Sequence, residues 1–277
     1  MIADVLIHVP TDKEPDAGVQ YGLSVANAFK AHVTGLTFAL EPLVAPMYFG
    51  AVPGEIFEDF RRDAEQTASE AAARFQKSAE GAGCTVDTRV VTATIDGAAD
   101  AIGRLARVYD LTVLTQPNPD KPGPEPALLE AALFESGRGV LIVPYVQKKP
   151  IEFDRVLIAW DGGRPATRAL SEARPFLAKA KQVEILVVES GKPDLQMVPG
   201  ADLARHLARH NFKVELRRAV VPSNADIDAT ILNEISDSDV DLVVMGGYGH
   251  NRLRQFVLGG VTRGILESMT APVLMAH

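Results

Sequence analysis

The sequence predicts an α/β protein built from two similar doubly wound domains, each a five-stranded, mainly parallel sheet with helices on both faces. Three observations predict it. The chain has 277 residues, about twice the usual length of a compact domain. Its 47% hydrophobic and 23% charged residues are ordinary globular values. A programme of short Val, Ile and Leu runs alternating with helical stretches is written twice along it, the sign of an internal repeat.

The elements justify the class in order. First strands are Asp4-Val5-Leu6-Ile7-His8-Val9 and Arg155-Val156-Leu157-Ile158-Ala159-Trp160, each followed by a helix-like segment. Second strands fall at 33–38 and 183–188, third strands near 85–91 and 214–221. Helical stretches at 98–108 and 227–236 lead into Asp110-Leu111-Thr112-Val113-Leu114 and Asp241-Leu242-Val243-Val244-Met245. Gly139-Val140-Leu141-Ile142-Val143-Pro144 and Ala271-Pro272-Val273-Leu274-Met275-Ala276 close the two halves. Short apolar strands alternating with helices require a parallel sheet covered on both faces. Right-handed crossovers make it doubly wound, with ligands at the carboxyl ends of the strands. The segment 145–153, with Lys148-Lys149-Pro150, reads as the linker and sets the domains at 1–147 and 151–277. An insertion at 41–57 holds three prolines and precedes a helix over about 58–81. Met47, Tyr48, Phe49, Ile56 and Phe57 either line a ligand pocket or pack the insertion onto its own domain, and packing is the expectation.

Charge narrows the partners. The net charge of -8 argues against nucleic acid, which needs a basic field. Residues 1–150 carry 20 acidic and 13 basic groups, residues 151–277 carry 16 and 15, so an anionic ligand fits the second half better. No apolar run approaches the roughly 18 to 20 residues of a membrane span, and the opening residues carry no basic region ahead of an apolar one. The single cysteine, Cys84, suits a reducing compartment. The expected location is cytoplasmic, with no membrane partner.

Chemistry concentrates in Met245-Gly246-Gly247-Tyr248-Gly249-His250-Asn251-Arg252-Leu253-Arg254-Gln255-Phe256-Val257-Leu258-Gly259-Gly260-Val261-Thr262-Arg263. Gly246 and Gly249 allow tight turning and close backbone approach. Gly259-Gly260 precede a helix over 261–269, whose N-terminus offers N–H donors and a positive dipole end to an anion. Between His250 and Leu266 stand three arginines and no acidic residue.

The spacing Gly-x2-Gly-x9-Gly, after a strand and before a helix, resembles the universal stress protein family, whose nucleotide-binding members carry it followed by Ser or Thr. Gly246, Gly249 and Gly259 match. The resemblance runs along most of the chain, and the doubled layout is similar to the tandem-domain members; it implies a Rossmann-like, adenine nucleotide alpha hydrolase-like fold. It further implies an adenine nucleotide, ATP, ADP or AMP, with magnesium accompanying ATP, between the first and fourth strands of the second half. Asp161 matches the acidic residue that hydrogen-bonds the adenine or ribose, with Ala159 and Trp160 beside it and Val188 against the base. Gly246 and Gly249 would face ribose and phosphates, Arg252 adds positive charge, and Gly259, Gly260 and Val261 supply N–H groups. The departure is Gly260, where the family has Ser or Thr; Thr262 is a partial replacement, or the site prefers fewer phosphates. The resemblance also implies association through the last strand of each domain, as an intrachain pseudo-dimer or a homodimer, and an unidentified regulatory protein partner.

The first half departs further. After Leu114 it reads Thr115-Gln116-Pro117-Asn118-Pro119-Asp120-Lys121-Pro122-Gly123-Pro124, and prolines cannot donate N–H groups to phosphate. It retains an Asp in Val9-Pro10-Thr11-Asp12 but reads as a degenerate copy. His206 and His210, four apart, are read as an exposed helix face, since a four-coordinate metal needs more ligands; no metal site is assigned. Cys84, His8 and His32 are read as structural. The chain has no Gly-x4-Gly-Lys-Ser/Thr, Gly-x-Ser-x-Gly or first-strand Gly-x-Gly-x-x-Gly segment, so no catalytic residue is assigned. The expected function is a stress-response nucleotide sensor. A slow ATP hydrolase using the same loop and a scaffold with a non-nucleotide ligand are the alternatives.

Overall fold

The computed structural model describes residues 1–42, 54–148, 151–189, 200–221, 226–248 and 260–277. They fall into two compact units, Met1–Ser136 and Gly137–His277.

Unit 1 runs β1 (Asp4–His8), α1 (Ala17–Phe29), β2 (His32–Leu40), α2 (Gly54–Gly81), β3 (Val86–Ala93), α3 (Ile95–Leu105), a 3-10 turn (Ala106–Val108), β4 (Leu111–Thr115) and α4 (Glu125–Glu135). Its strands are parallel in the order β3-β2-β1-β4. β1, β2 and β4 read almost wholly buried, as their continuous apolar runs demand. Asp16 starts α1 by accepting the Val19 N–H at 2.8 Å, and Lys30 ends it with φ 56°. Gly22 and Gly35 let elements close in. A Cβ on Gly22 would come within 2.8 Å of Ile7, and one on Gly35 would fall on the Phe75 ring. Ile7 stands opposite Gly35, so α1 and α2 cover the same sheet face.

Unit 2 runs β5 (Gly139–Val143), β6 (Arg155–Ala159), α5 (Arg164–Leu177), β7 (Gln182–Glu189), α6 (Ala201–Arg209), β8 (Val214–Val220), α7 (Ile227–Asp237), β9 (Leu242–Gly246), α8 (Gly260–Ser268) and β10 (Val273–Ala276). The order is β5-β10-β9-β6-β7-β8. All neighbours are parallel except β5, which pairs antiparallel with β10 through Val273 and Ile142, Leu274 and Leu141, Met275 and Val140. β5, the last strand of the first sequence half, thus pairs with the last strand of the second.

The repeated aspartates have a structural reason. Asp110 Oδ2 accepts the N–H groups of Ala3 and Asp4 at 2.8 and 3.2 Å, and Asp241 Oδ2 accepts that of Arg155 at 2.9 Å. Each carboxylate ties the entry of the fourth strand to the entry of the first. Among the described residues no helix is long and apolar enough to cross a membrane.

Of the insertion, Met47, Tyr48 and Phe49 lie outside the described residues. Ile56 is 42% exposed on the first turn of α2 and Phe57 is half-buried. Ile56 therefore does not pack as expected: α2 begins at Gly54, and its first turns stand largely in solvent.

Candidate functional site

In unit 2 the strand order changes direction between β6 and β9, and their carboxyl ends carry the residues singled out in the sequence. Ala159 pairs with Leu186 of β7 and Met245 of β9, so Ala159 and Gly246 end β6 and β9, and Val188 is the last residue but one of the adjacent β7. All three are half-exposed, as is Trp160, whereas the residues beneath them are buried. The Trp160 N–H donates to Leu186 O at 2.9 Å, which carries the ladder one step past β6. Asp161 is exposed, and its Oδ1 accepts the Gly163 N–H at 2.8 Å. Gly162, with φ 74°, makes the turn that sends the chain into α5, a conformation glycine takes without strain. These five residues lie along the carboxyl edge of the sheet, at the place where this topology receives ligands.

Gly246 serves the scaffold first. A Cβ there would fall on the Ala166 backbone nitrogen and within 2.9 Å of Pro165, so glycine is what lets the first turn of α5 rest against the end of β9. Tyr248 follows with φ 60°, a left-handed conformation that costs a non-glycine residue about 1 kcal/mol. Its N–H donates to Thr262 Oγ1 at 3.2 Å. Thr262 is buried on the first turn of α8, so its hydroxyl oxygen ties the exit of β9 to that helix. Gly260 opens α8, exposed, with nothing within 4 Å of a Cβ placed on it. Val261 is half-exposed beside it. Gly249, Arg252 and Gly259 lie outside the described residues.

Sequence reasoning missed three parts of this edge: the Gly162 turn, the Pro165–Ala166 backbone under Gly246, and the αL Tyr248. The first was legible as Asp161-Gly162-Gly163, a turn signature. The other two depend on contacts distant in sequence.

Unit 1 differs at the same place. Thr115 ends β4, and its hydroxyl donates to Asp16 Oδ1 at 2.6 Å. A Cβ on Gly18 would fall on that hydroxyl, so here the glycine is on the helix and the bulk on the strand. Burial pushes the Asp16 carboxyl above its usual range, against the hydrogen bonds from Thr115, Val19 and Gly18. Burial also raises Glu125 at the start of α4. Asp12 is exposed.

His206 and His210 stack edge to face at 4.9 Å, and the Arg174 guanidinium lies 3.2 Å from His210 Nδ1. No group of three or more His, Cys, Asp or Glu is placed to hold a metal among the described residues. Cys84 is half-buried, burial raises its pKa, and Sγ lies 3.7 Å from Leu23 O. His32 sits between Asp4 and Asp87, 3.2 Å from each.

Residues 152–277 match a family model described as the Universal stress protein family. The chain is similar to Universal stress protein Slr1230 of Synechocystis sp. (strain ATCC 27184 / PCC 6803 / Kazusa), 29% identical over 126 residues, 43% of this chain and 41% of that protein. It therefore spans less than half of that relative. It is 24% identical over 149 residues to Universal stress protein YxiE of Bacillus subtilis (strain 168), 45% of this chain and 99% of that one. In fold it is similar to a universal stress protein from Archaeoglobus fulgidus DSM 4304, with TM-score 0.67 and 17% identity over 98% of this chain and 97% of the other. It is also similar to a functionally unknown protein from Pseudomonas aeruginosa PAO1, with TM-score 0.57 and 15% identity over 99% and 92%.

Proposed function

We propose, for a chain that belongs to the universal stress protein family through residues 152–277 and repeats that domain's strand order in its first half, that unit 2 binds an adenine nucleotide and acts as a stress-response sensor in the cytoplasm. The observation that carries the reading is the edge made by Ala159, Trp160, Asp161, Val188 and Gly246 on three adjacent parallel strands, half-exposed or exposed above a buried sheet. The small Ala159 and Gly246 leave room for a flat base, and the Asp161 carboxylate accepts hydrogen bonds from an amine or hydroxyl. The first turn of α8, with Gly260 and Val261, offers backbone N–H groups toward phosphate. Magnesium would accompany the phosphates of ATP. The wider resemblance supports Gly249, Arg252 and Gly259 as the remaining phosphate contacts. Signalling would pass through a regulatory protein partner or through pairing of chains.

Calorimetry with ATP, ADP and AMP at fixed magnesium, with phosphate release followed in the same samples, tests the reading. Saturable binding without turnover, weakened about tenfold or more in Asp161→Ala by loss of a charge-assisted hydrogen bond, supports it. Clean wild-type protein that binds none of the three refutes it.

A further inference from the structure

The two units correspond position by position through their strand registers, and the comparison singles out two side chains of unit 1. His8 stands opposite Leu36 as Ala159 stands opposite Leu186. Two residues on, Phe38 corresponds to Val188. Ile7 pairs with Val113 as Ile158 pairs with Val244, so Thr115 corresponds to Gly246. Where unit 2 has alanine, valine and glycine, all half-exposed, unit 1 has histidine, phenylalanine and threonine, with 3%, 3% and 7% exposure.

The His8 and Phe38 side chains share one face of the sheet, whereas Thr115, on the face of Ile7 and Val113, lies against α1. The His8 and Phe38 rings lie 6.0 Å apart, tilted by 33°. Thr115 is held by its hydrogen bond to Asp16 and backed by Gly18, so it is fixed in place. His8 Nδ1 is buried and has no hydrogen-bond partner. An unpaired buried nitrogen is unfavourable relative to an apolar group of the same shape, so stability alone does not account for an imidazole here. Burial pushes its pKa down to about 4, which keeps the ring neutral at physiological pH. A neutral, flat nitrogen heterocycle against an aromatic face has the chemical character of the ligand expected in the other unit.

We propose that the His8 and Phe38 rings fill in unit 1 the space that unit 2 leaves open beside Ala159 and Val188, so that the first cleft is closed to an adenine base by the protein's own rings and the chain takes one nucleotide. The inference rests on the nucleotide reading of unit 2 for the identity of the excluded ligand.

The test uses the full chain with adenosine, a probe that needs no phosphate cradle, read by amide hydrogen exchange resolved to each strand end and by calorimetry. In the wild type, adenosine protects no amide at the carboxyl ends of β1, β2 and β4. His8→Ala with Phe38→Val installs the residues of unit 2; protection then appears at those ends and the molar ratio rises by one per chain. Adenosine protection there in the wild type overturns the proposal. So does a double variant that melts cooperatively yet gains no binding. Should the double variant not fold, His8→Ala alone carries the same readout and the same two outcomes. Failure of the parent reading shows separately, as absent protection at the ends of β6, β7 and β9.

Discussion

Gly246 opens the glycine motif, Gly260 follows its last glycine, and the two do different work. At Gly246 a Cβ would meet the backbone of Ala166, and backbone cannot move aside as a flexible side chain does. Gly246→Ala is expected to destabilise unit 2 by about 2 kcal/mol or more, as overpacking against fixed atoms does, measured as a lower urea midpoint at unchanged slope. At Gly260 a side chain enters open space. Gly260→Ser adds the hydroxyl that the family pattern supplies at the exposed start of α8, whereas the Thr262 hydroxyl is buried and accepts from Tyr248. One added hydrogen bond to a charged group is worth about 1.5–3 kcal/mol, so ATP affinity should rise about tenfold or more while adenosine affinity stays level. Equal gains for both ligands would show that the hydroxyl does not reach phosphate. The glycines were legible as a spacing. Which of them faces a helix and which faces solvent was not, because the neighbours of Gly246 lie some eighty residues away in the chain.

The β6, β7 and β8 strands hold a feature that no motif announces. Glu184 on β7 is 2% exposed in its side chain and lies 3.6 Å from Arg155 of β6 and 3.3 Å from Arg217 of β8. Arg217 also donates to Ser238 Oγ and pairs with Glu234 at 3.2 Å, and Arg155 donates to Ser238 O at 2.9 Å. A buried carboxylate bridging three strands is worth little against an apolar replacement of the whole network, but removing one member leaves uncompensated charge. Glu184→Leu takes out the buried charge itself and leaves two partly exposed arginines, one still paired with Glu234, and should cost about 1 kcal/mol, while Arg217→Met strips the buried carboxylate of one of its two arginines and should cost about 2 kcal/mol or more; equilibrium unfolding of the two variants compares them. Continuous runs such as Val183 to Val188 made the strands legible, since nothing else suits a sheet buried on both faces. The charge inside β7 was hidden by that same pattern, which reads one polar residue in an apolar run as noise. The placement of β5 was hidden too. Its antiparallel register against β10 is set by pairing over more than a hundred residues, and its own five residues say only that it is buried.

Across the molecule, the two units diverge in what they bury at corresponding places, and pH should tell them apart. His8 has a folded pKa of about 4 against 6.5 for the exposed group, so the unfolded chain binds the proton more readily. The neutral imidazole contributes full stability above about pH 6.5 and loses it as pH falls toward 4, a change of about 3 kcal/mol if unit 1 unfolds as a whole. Asp16 and Glu125 act in the opposite sense. Burial raises both carboxyls, so the folded state takes up their protons first and gains stability as pH falls through their folded range. Wild-type unit 1 therefore shows only the difference between these slopes, and a bare pH titration would understate each. His8→Leu removes one slope and leaves the other. The expected outcome is a variant whose stability, relative to wild type, improves steadily between pH 6.5 and 4, read by hydrogen exchange of the deepest amides of β1 and β4. Ala159 stands at the corresponding place in unit 2 and has no proton to gain, so the amides of β6 and β9 should show no His8-dependent slope. A slope that appears equally in both sets of amides would mean that the two units unfold as one, and that the acid response belongs to the chain and not to its first half.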